Sequence, residues 1–346
     1  MPFSVHRRIS GVTESWFREA QRPLPWRLGY DPYMVWVSEV MLQQTRMEVV
    51  LRYFERFIDH FPDVRTLASS REEEVLAAWS GLGYYRRARM LLAGAREVVS
   101  RFGGSLPDTV AELRTIPGIG PYTAGAISSI AFNERAPIVD GNVARIISRL
   151  FAIEEPVASP ALMRASWKHA ADLVRTSSAP RDFNQGLMEI GALVCRPQRP
   201  ACHVCPLSAH CLARQSGRTG ELPKRRVERA STAMTIPLLV ISDRAGRLLM
   251  RRESGKLMNA MYHLPHGNTS LFSERPLEAT TRTLIGTFHH TITTRRIEFQ
   301  IFAADLGESI RDGRGEYAWI DPARMADVPH PSYVAKALRL VAMPGL

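Results

Sequence analysis

Lysine is almost missing from this sequence. Of 45 basic residues only Lys168, Lys224, Lys256 and Lys336 are lysines, so the first 167 residues contain none. Chemistry that runs through a side-chain lysine amine, such as Schiff-base formation, is excluded from that stretch. Cysteine is equally scarce: four residues, all between 195 and 211. That clustering excludes a disulfide framework across the chain. No apolar run approaches the roughly 20 residues needed to span a bilayer. The opening MPFSVHRRIS has neither the apolar core nor the small-residue cleavage site of a secretion signal. The expectation is a chain with no membrane segment, located in the cytoplasm.

What is present suits two globular domains: 346 residues, 45% hydrophobic and 23% charged. The net charge is +11, and +8 of it falls in residues 1–232. A basic surface attracts polyanions, nucleic acid above all, although an arginine bias also follows from genome composition alone. Apolar residues recur at helical spacing in 48–60, 72–79, 87–101, 109–116, 121–132, 142–152 and 162–175, with Gly or Pro turns between them. Residues 219–232 are polar and basic and read as a linker. Beyond them 235–241, 247–252, 296–304 and 315–320 are rich in β-branched and aromatic residues, which predicts strands, and one helix is expected near 334–342. The fold class is a mostly α-helical domain over 1–218 followed by a smaller α+β domain over 233–346. There is no internal repeat.

Cys195, Cys202, Cys205 and Cys211 form the pattern C-x6-C-x2-C-x5-C. Four soft thiolates so close together can surround one metal centre. Zinc sites with four cysteines usually come as two C-x2-C knuckles. Only one is present, which favours a [4Fe–4S] cubane held by the 195–211 loop. Its use is structural or redox; the spacing does not choose.

The run Leu113 to Gly125 joins two helical segments through Pro117-Gly118-Ile119-Gly120-Pro121. Gly118 and Gly120 permit a tight turn and close backbone approach. Pro121 suits a first helical turn, whose free N–H groups can bind phosphate. The element reads as a helix-hairpin-helix, which grips DNA backbone without reading sequence.

Two carboxylates stand out. Glu39 has Val35, Trp36 and Leu42 as helical neighbours. A carboxyl on an apolar face has a raised pKa and suits a general acid, or it simply edges a core face. Asp140 precedes Gly141-Asn142-Val143 and by itself reads as a helix N-cap. As a pair they meet the needs of glycosidic cleavage, one acid for the leaving group and one anion for the sugar cation.

These residues carry a resemblance. LPWR at 24–27, SEVMLQQT at 38–45, GLGYYRRAR at 81–89, IPGIGPYTAGAI at 116–127, VDGNVARI at 139–146 and the cysteine run resemble the adenine DNA glycosylase (MutY) family of iron–sulfur, helix-hairpin-helix glycosylases over about residues 5–218. The resemblance implies that Glu39 protonates adenine N7 and later activates water, and that Asp140 stabilises the sugar cation. Tyr122 and Asn142 would hold the two carboxylates. Arg22, Trp26 and Arg27 would form the pocket for a flipped adenine. Gln43, Gln44, Thr45, Leu82 and Tyr84 would contact DNA or wedge beside the opposing base. Tyr122 stands where endonuclease III-like relatives have a catalytic lysine, so no efficient strand cleavage is implied. The implied partner is double-stranded DNA with adenine opposite 8-oxoguanine or guanine, bound by a monomer at the bacterial nucleoid.

LMNAMYHLP at 257–265 and TFHHTITTRRIEF at 287–299 resemble, more weakly, the family's Nudix-like domain. LEATTRTLIGTF at 277–288 lacks the dense glutamates of a Nudix hydrolase box, which implies a recognition module without catalytic metal. Ile292-Thr293-Thr294 replaces the Phe-Ser-His that reads 8-oxoguanine in the family, so only a hydroxyl at Thr293 or Thr294 is retained. Two other functions remain open: a thymine or uracil mismatch glycosylase on the same scaffold, and a DNA damage-binding protein without catalysis.

Overall fold

The structure, a computed structural model, describes residues 2–225, 232–253, 261–266, 281–292, 295–305 and 317–341. They form two compact units: Met1–Ser69 with Met90–Glu228, and Ser70–Arg89 with Arg229–Leu346.

The first unit is helical. In chain order it contains α1 (Phe3–Ala20), α2 (Pro32–Leu42), α3 (Met47–His60) and α4 (Val64–Ser69). After α5 (Glu72–Ala78), which belongs to the other unit, come α6 (Arg86–Phe102), whose first turn also belongs there, α7 (Val110–Leu113), α8 (Pro121–Ala126) and α9 (Gly141–Leu150). Then come α10 (Pro160–Arg175), α11 (Pro180–Leu193) and the short α12 (Leu212–Gln215). Local chemistry sets their starts. The Asp31 carboxylate accepts from the Met34 N–H at 2.9 Å with Pro32 in the first turn of α2, and Ser159 caps α10 through the Leu162 N–H at 3.1 Å. α8 runs on into a π-turn over Ile127–Ala131. α9, α10 and α11 close around Val143, Ile147, Leu173, Phe183, Leu187 and Ile190, and Cys195, Cys205 and Cys211 pack against this core. Among the described residues no helix is long and apolar enough to cross a membrane.

The second unit holds β1 (Thr232–Val240), β2 (Leu248–Arg252), β3 (Tyr262–His263), β4 (Thr281–Ile292), β5 (Arg295–Asp305), β6 (Tyr317–Ile320) and α13 (Ser332–Leu340). One sheet runs β1-β5-β4, with β1 parallel and β4 antiparallel to β5; the other runs β3-β2-β6, all antiparallel. α13 contributes Tyr333, Val334, Ala337 and Leu338 to the core beneath.

Two boundaries differ from the sequence reading. Residues 70–89, expected in the helical domain, pack with the second unit: the Tyr85 hydroxyl donates to the His330 carbonyl at 2.6 Å, and Arg252 lies 3.9 Å from Glu73. The expected linker also begins inside the first unit. Leu222 is buried, its carbonyl accepts from Arg149 at 2.9 Å, and Lys224 exchanges backbone hydrogen bonds with Glu155 and Val157. Much of the 277–288 stretch is an edge strand, β4, with a register shift between Leu284 and Gly286.

Candidate active site

A cavity of about 920 Å³ opens in the first unit. Arg22, Trp26, Arg27, Glu39, Gln43, Gln44, Thr45, Tyr122, Asp140 and Asn142, all expected from the sequence, line it together. α2 delivers Glu39 because its other faces are apolar. Tyr33, Val35, Trp36, Val37, Val40 and Met41 are all buried, so the helix has no solvent face to which a carboxylate could escape. Glu39 is 4% exposed. Burial pushes its carboxyl up to about 7. The Tyr122 hydrogen bond and the Arg27 charge oppose that rise, and the Asp140 charge adds to it.

The Tyr122 hydroxyl donates to Glu39 Oε2 at 2.6 Å. Burial, then the neighbouring Glu39 and Asp140, raise the phenol well above its ordinary value, which keeps it a donor. Asp140 is indeed the N-cap of α9: Oδ1 accepts from the Val143 N–H at 2.7 Å, and Oδ2 accepts from Asn142 Nδ2 at 3.0 Å. Burial raises its pKa, with those donors and Arg145 pulling it back. The capping reading and the catalytic reading of Asp140 are therefore compatible.

Sequence reasoning missed the residues that α11 brings to the cavity, among them Gln185, Met188 and Glu189. Glu189 is paired with Arg22 at 2.6 Å and Arg27 at 3.2 Å. Burial pushes its pKa up, but the Arg22 hydrogen bond and both guanidinium charges outweigh this and leave it lowered. Arg27 Nε also donates to Gln185 Oε1 at 2.9 Å. The wall is thus a hydrogen-bonded row of charged and amide side chains beside the Trp26 ring, suited to a flat polar heterocycle. Gln185 and Glu189 stand four residues apart on one helix face, but Arg181, Asp182 and Asn184 on the same helix leave that spacing without a distinctive signal. Arg145 was missed too. It donates to Asn142 Oδ1, to the Gly191 carbonyl and to the Cys195 carbonyl, each at 2.8 Å.

At the hairpin, Gly118 has φ +82°, and a Cβ there would lie 2.8 Å from Met90 Cβ. Gly120 differs from expectation: its backbone is ordinary extended chain, and it faces open space. Among the described residues nothing requires glycine there, and the open space leaves room for an outside group. Leu82 is buried and Tyr84 exposed, and both belong to the second unit. Gln44 and Tyr84 adopt left-handed backbone, φ +59° and +50°, a costly state for residues with side chains. Thr293 and Thr294 lie outside the described residues.

The four cysteines line one small cavity together with Arg149, Pro200, Ala201 and Arg214. Among the described residues no three His, Cys, Asp or Glu side chains converge tightly enough for a single metal ion. Burial pushes the Cys205 thiol up to about 11, and Cys211 upward as well.

Known proteins share this chain's sequence and fold over much of its length. Residues 37–171 match the family model described as HhH-GPD superfamily base excision DNA repair protein. The chain is 47% identical over 228 residues to an adenine DNA glycosylase of Homo sapiens, covering 62% of this chain and 42% of that protein. The chain thus spans less than half the length of that relative. It is 31% identical over 258 residues to an adenine DNA glycosylase of Buchnera aphidicola from Acyrthosiphon pisum, covering 74% of this chain and 73% of that one. Among solved structures, a thermostable thymine-DNA glycosylase superposes with a TM-score of 0.55 at 27% identity, covering 62% of this chain and 98% of its own.

Proposed function

The chain belongs to the adenine DNA glycosylase family, and on that premise we propose that it is a monofunctional glycosylase hydrolysing the N-glycosidic bond of adenine opposite 8-oxoguanine or guanine in duplex DNA. The observation that carries the proposal is Glu39: buried, pushed up to about 7, bonded to Tyr122 at 2.6 Å, and lining the same cavity as Asp140.

A flipped adenine enters between Trp26 and the Arg22–Glu189–Arg27 wall. Glu39, which a pKa of about 7 keeps protonated in a substantial share of molecules near neutral pH, gives its proton to N7. The C1′–N9 bond breaks and its electron pair leaves with the base. The Asp140 carboxylate, fixed by the Val143 N–H and Asn142, faces the positive charge left on the sugar. A water attacks C1′ and returns its proton to Glu39, which restores the acid. Extrusion of the base from the stack costs a few kcal/mol. Gln44 lines the adenine cavity, the exposed Tyr84 of the second unit is read as a DNA contact while the buried Leu82 is not, and the hairpin at Gly118–Gly120 holds the backbone.

The cysteine loop is read as the seat of one [4Fe–4S] cluster. The four thiols line one cavity and supply the four thiolate ligands that a cubane takes. When bound, such a cluster supplies a rigid template for the 195–211 loop. The second unit is read as a Nudix-like module that senses the opposing base.

A panel of labelled mispairs in single-turnover excess of enzyme tests the function. Adenine release opposite 8-oxoguanine and guanine is expected. Thymine or uracil release from G mispairs would replace the proposal with the mismatch-thymine reading, which the 27% identical structure favours. Binding without any base release would remove catalysis altogether.

A further inference from the structure

Resting on the cluster reading above, we propose that Arg149 is a positioning residue for the cluster: its charged hydrogen bond to Cys195 sets the cluster's reduction potential and slows its loss. Arg149 sits on α9 and is 2% exposed. Its Nη1 donates to Cys195 Sγ at 3.2 Å and to the Arg196 carbonyl at 2.8 Å. Nη2 donates to the Pro197 carbonyl at 2.9 Å, and Nε to the Leu222 carbonyl at 2.9 Å. Its own carbonyl lies 3.5 Å from Cys211 Sγ. One side chain thereby ties together the start of the cysteine loop and the segment beyond it.

The acceptors leave a charge unbalanced. Four are neutral carbonyls, that of Cys195 itself at 3.4 Å among them, and among the described residues no carboxylate pairs with this guanidinium. A guanidinium keeps its charge at physiological pH, and a buried charge without a counter-charge is expensive. The group at hand to supply the negative charge is the sulfur at 3.2 Å, once it is a thiolate bound to iron. Arg145, one turn earlier on the same helix, does not duplicate this: its bonds go to carbonyls and to Asn142, and none to a sulfur. Arg145 reaches Asn142 and the Cys195 carbonyl, while Arg149 is the one of the two that donates to the Cys195 sulfur. A donor at a ligand sulfur stabilises the more reduced, more negative state of a cluster. Removing it lowers the potential and eases oxidative loss.

The test uses full-length protein as purified, comparing wild type, Arg149→Lys and Arg149→Gln. The readouts are iron per chain, visible absorbance, potential by voltammetry, and the rate of iron loss to a chelator. Arg149→Gln should shift the potential negative and release iron about ten- to a hundredfold faster, the scale of one lost charged hydrogen bond. Arg149→Lys keeps the charge and should fall between the two. If the Gln variant does not fold, the Lys variant decides: the same potential and iron-release rate as wild type would overturn the proposal. Iron-replete Arg149→Gln indistinguishable from wild type would overturn it as well. Wild-type protein with zinc or no iron would instead overturn the cluster reading itself.

Discussion

At the scale of single residues, the sharpest consequence concerns Glu39. Glu39→Gln removes the proton but keeps the shape, so base release should fall about a hundred- to ten-thousandfold while DNA binding persists. Near-wild-type excision would end the mechanism. The same carboxyl makes a stability prediction with a definite sign. Its folded value of about 7 lies above the ordinary 4.5, so the protonated form is the one the fold favours. Its contribution is full below about pH 4.5 and is lost as pH rises through about 7. At higher pH the wild type carries a penalty on the order of 3 kcal/mol that glutamine does not. Denaturant unfolding near pH 5 and near pH 8.5 should show Glu39→Gln gaining relative stability at the higher pH; equal differences at both would mean that Glu39 titrates normally. Glu39 was legible in the sequence because its apolar neighbours are local. Glu189 was not, because the arginines that justify its burial lie more than 160 residues away, at Arg22 and Arg27.

At the scale of elements, the glycines of the hairpin and its second helix separate folding from binding. Gly118→Ala places a side chain on left-handed backbone and against Met90, a loss of about 1–3 kcal/mol. Gly125→Ala drives a Cβ toward the Pro137 carbonyl oxygen, a backbone atom that cannot step aside, and should cost at least as much. Gly120→Ala meets nothing in the protein, so its stability should stay within about 0.5 kcal/mol while duplex affinity falls. Thermal unfolding and a binding titration on the three variants check this; equal behaviour in both assays would remove the hairpin's phosphate role. The helices that periodicity reveals are those with clean apolar stripes. α1 and α11 escape it because their buried faces carry Ser10, Thr13 and Glu14, and Asn184, Gln185 and Glu189. Glu14, for example, is satisfied by the Ser177 and Ser178 hydroxyls, partners about 163 residues distant in sequence. The strands β1, β2, β5 and β6 were legible from β-branched runs. β4 was not, since its exposed face mixes Thr, Arg and His.

At the scale of the whole molecule, composition limits the chemistry open to the abasic product. The cavity lining contains no lysine, so borohydride should trap little covalent complex and strands should break only after added alkali. Efficient trapping would point to another amine, such as the N-terminus. Telling 8-oxoguanine from guanine opposite the adenine falls, on the proposed reading, to the second unit. Ile292 stands where the family's wedging Phe would be, but it is 8% exposed and belongs to that unit's own core. It has no face to offer a base. His290 is likewise engaged, flanked by the rings of Phe299 and Tyr333 and lying 3.4 Å from Lys336 Nζ. The remaining polar candidates are the hydroxyls of Thr293 and Thr294 and the exposed side chains of His289, Arg295 and Arg296. A single neutral hydrogen bond is worth roughly 0.5–1.5 kcal/mol. Thr293→Ala or Thr294→Ala should therefore lower the preference for 8-oxoguanine by about threefold to tenfold, with excision opposite guanine unchanged. His289→Ala is the control that distinguishes a hydroxyl from an imidazole. A strong lesion preference that survives both threonine changes and disappears in His289→Ala would move the recognition contact to the histidine. A preference unaffected by all three would take lesion sensing away from these residues.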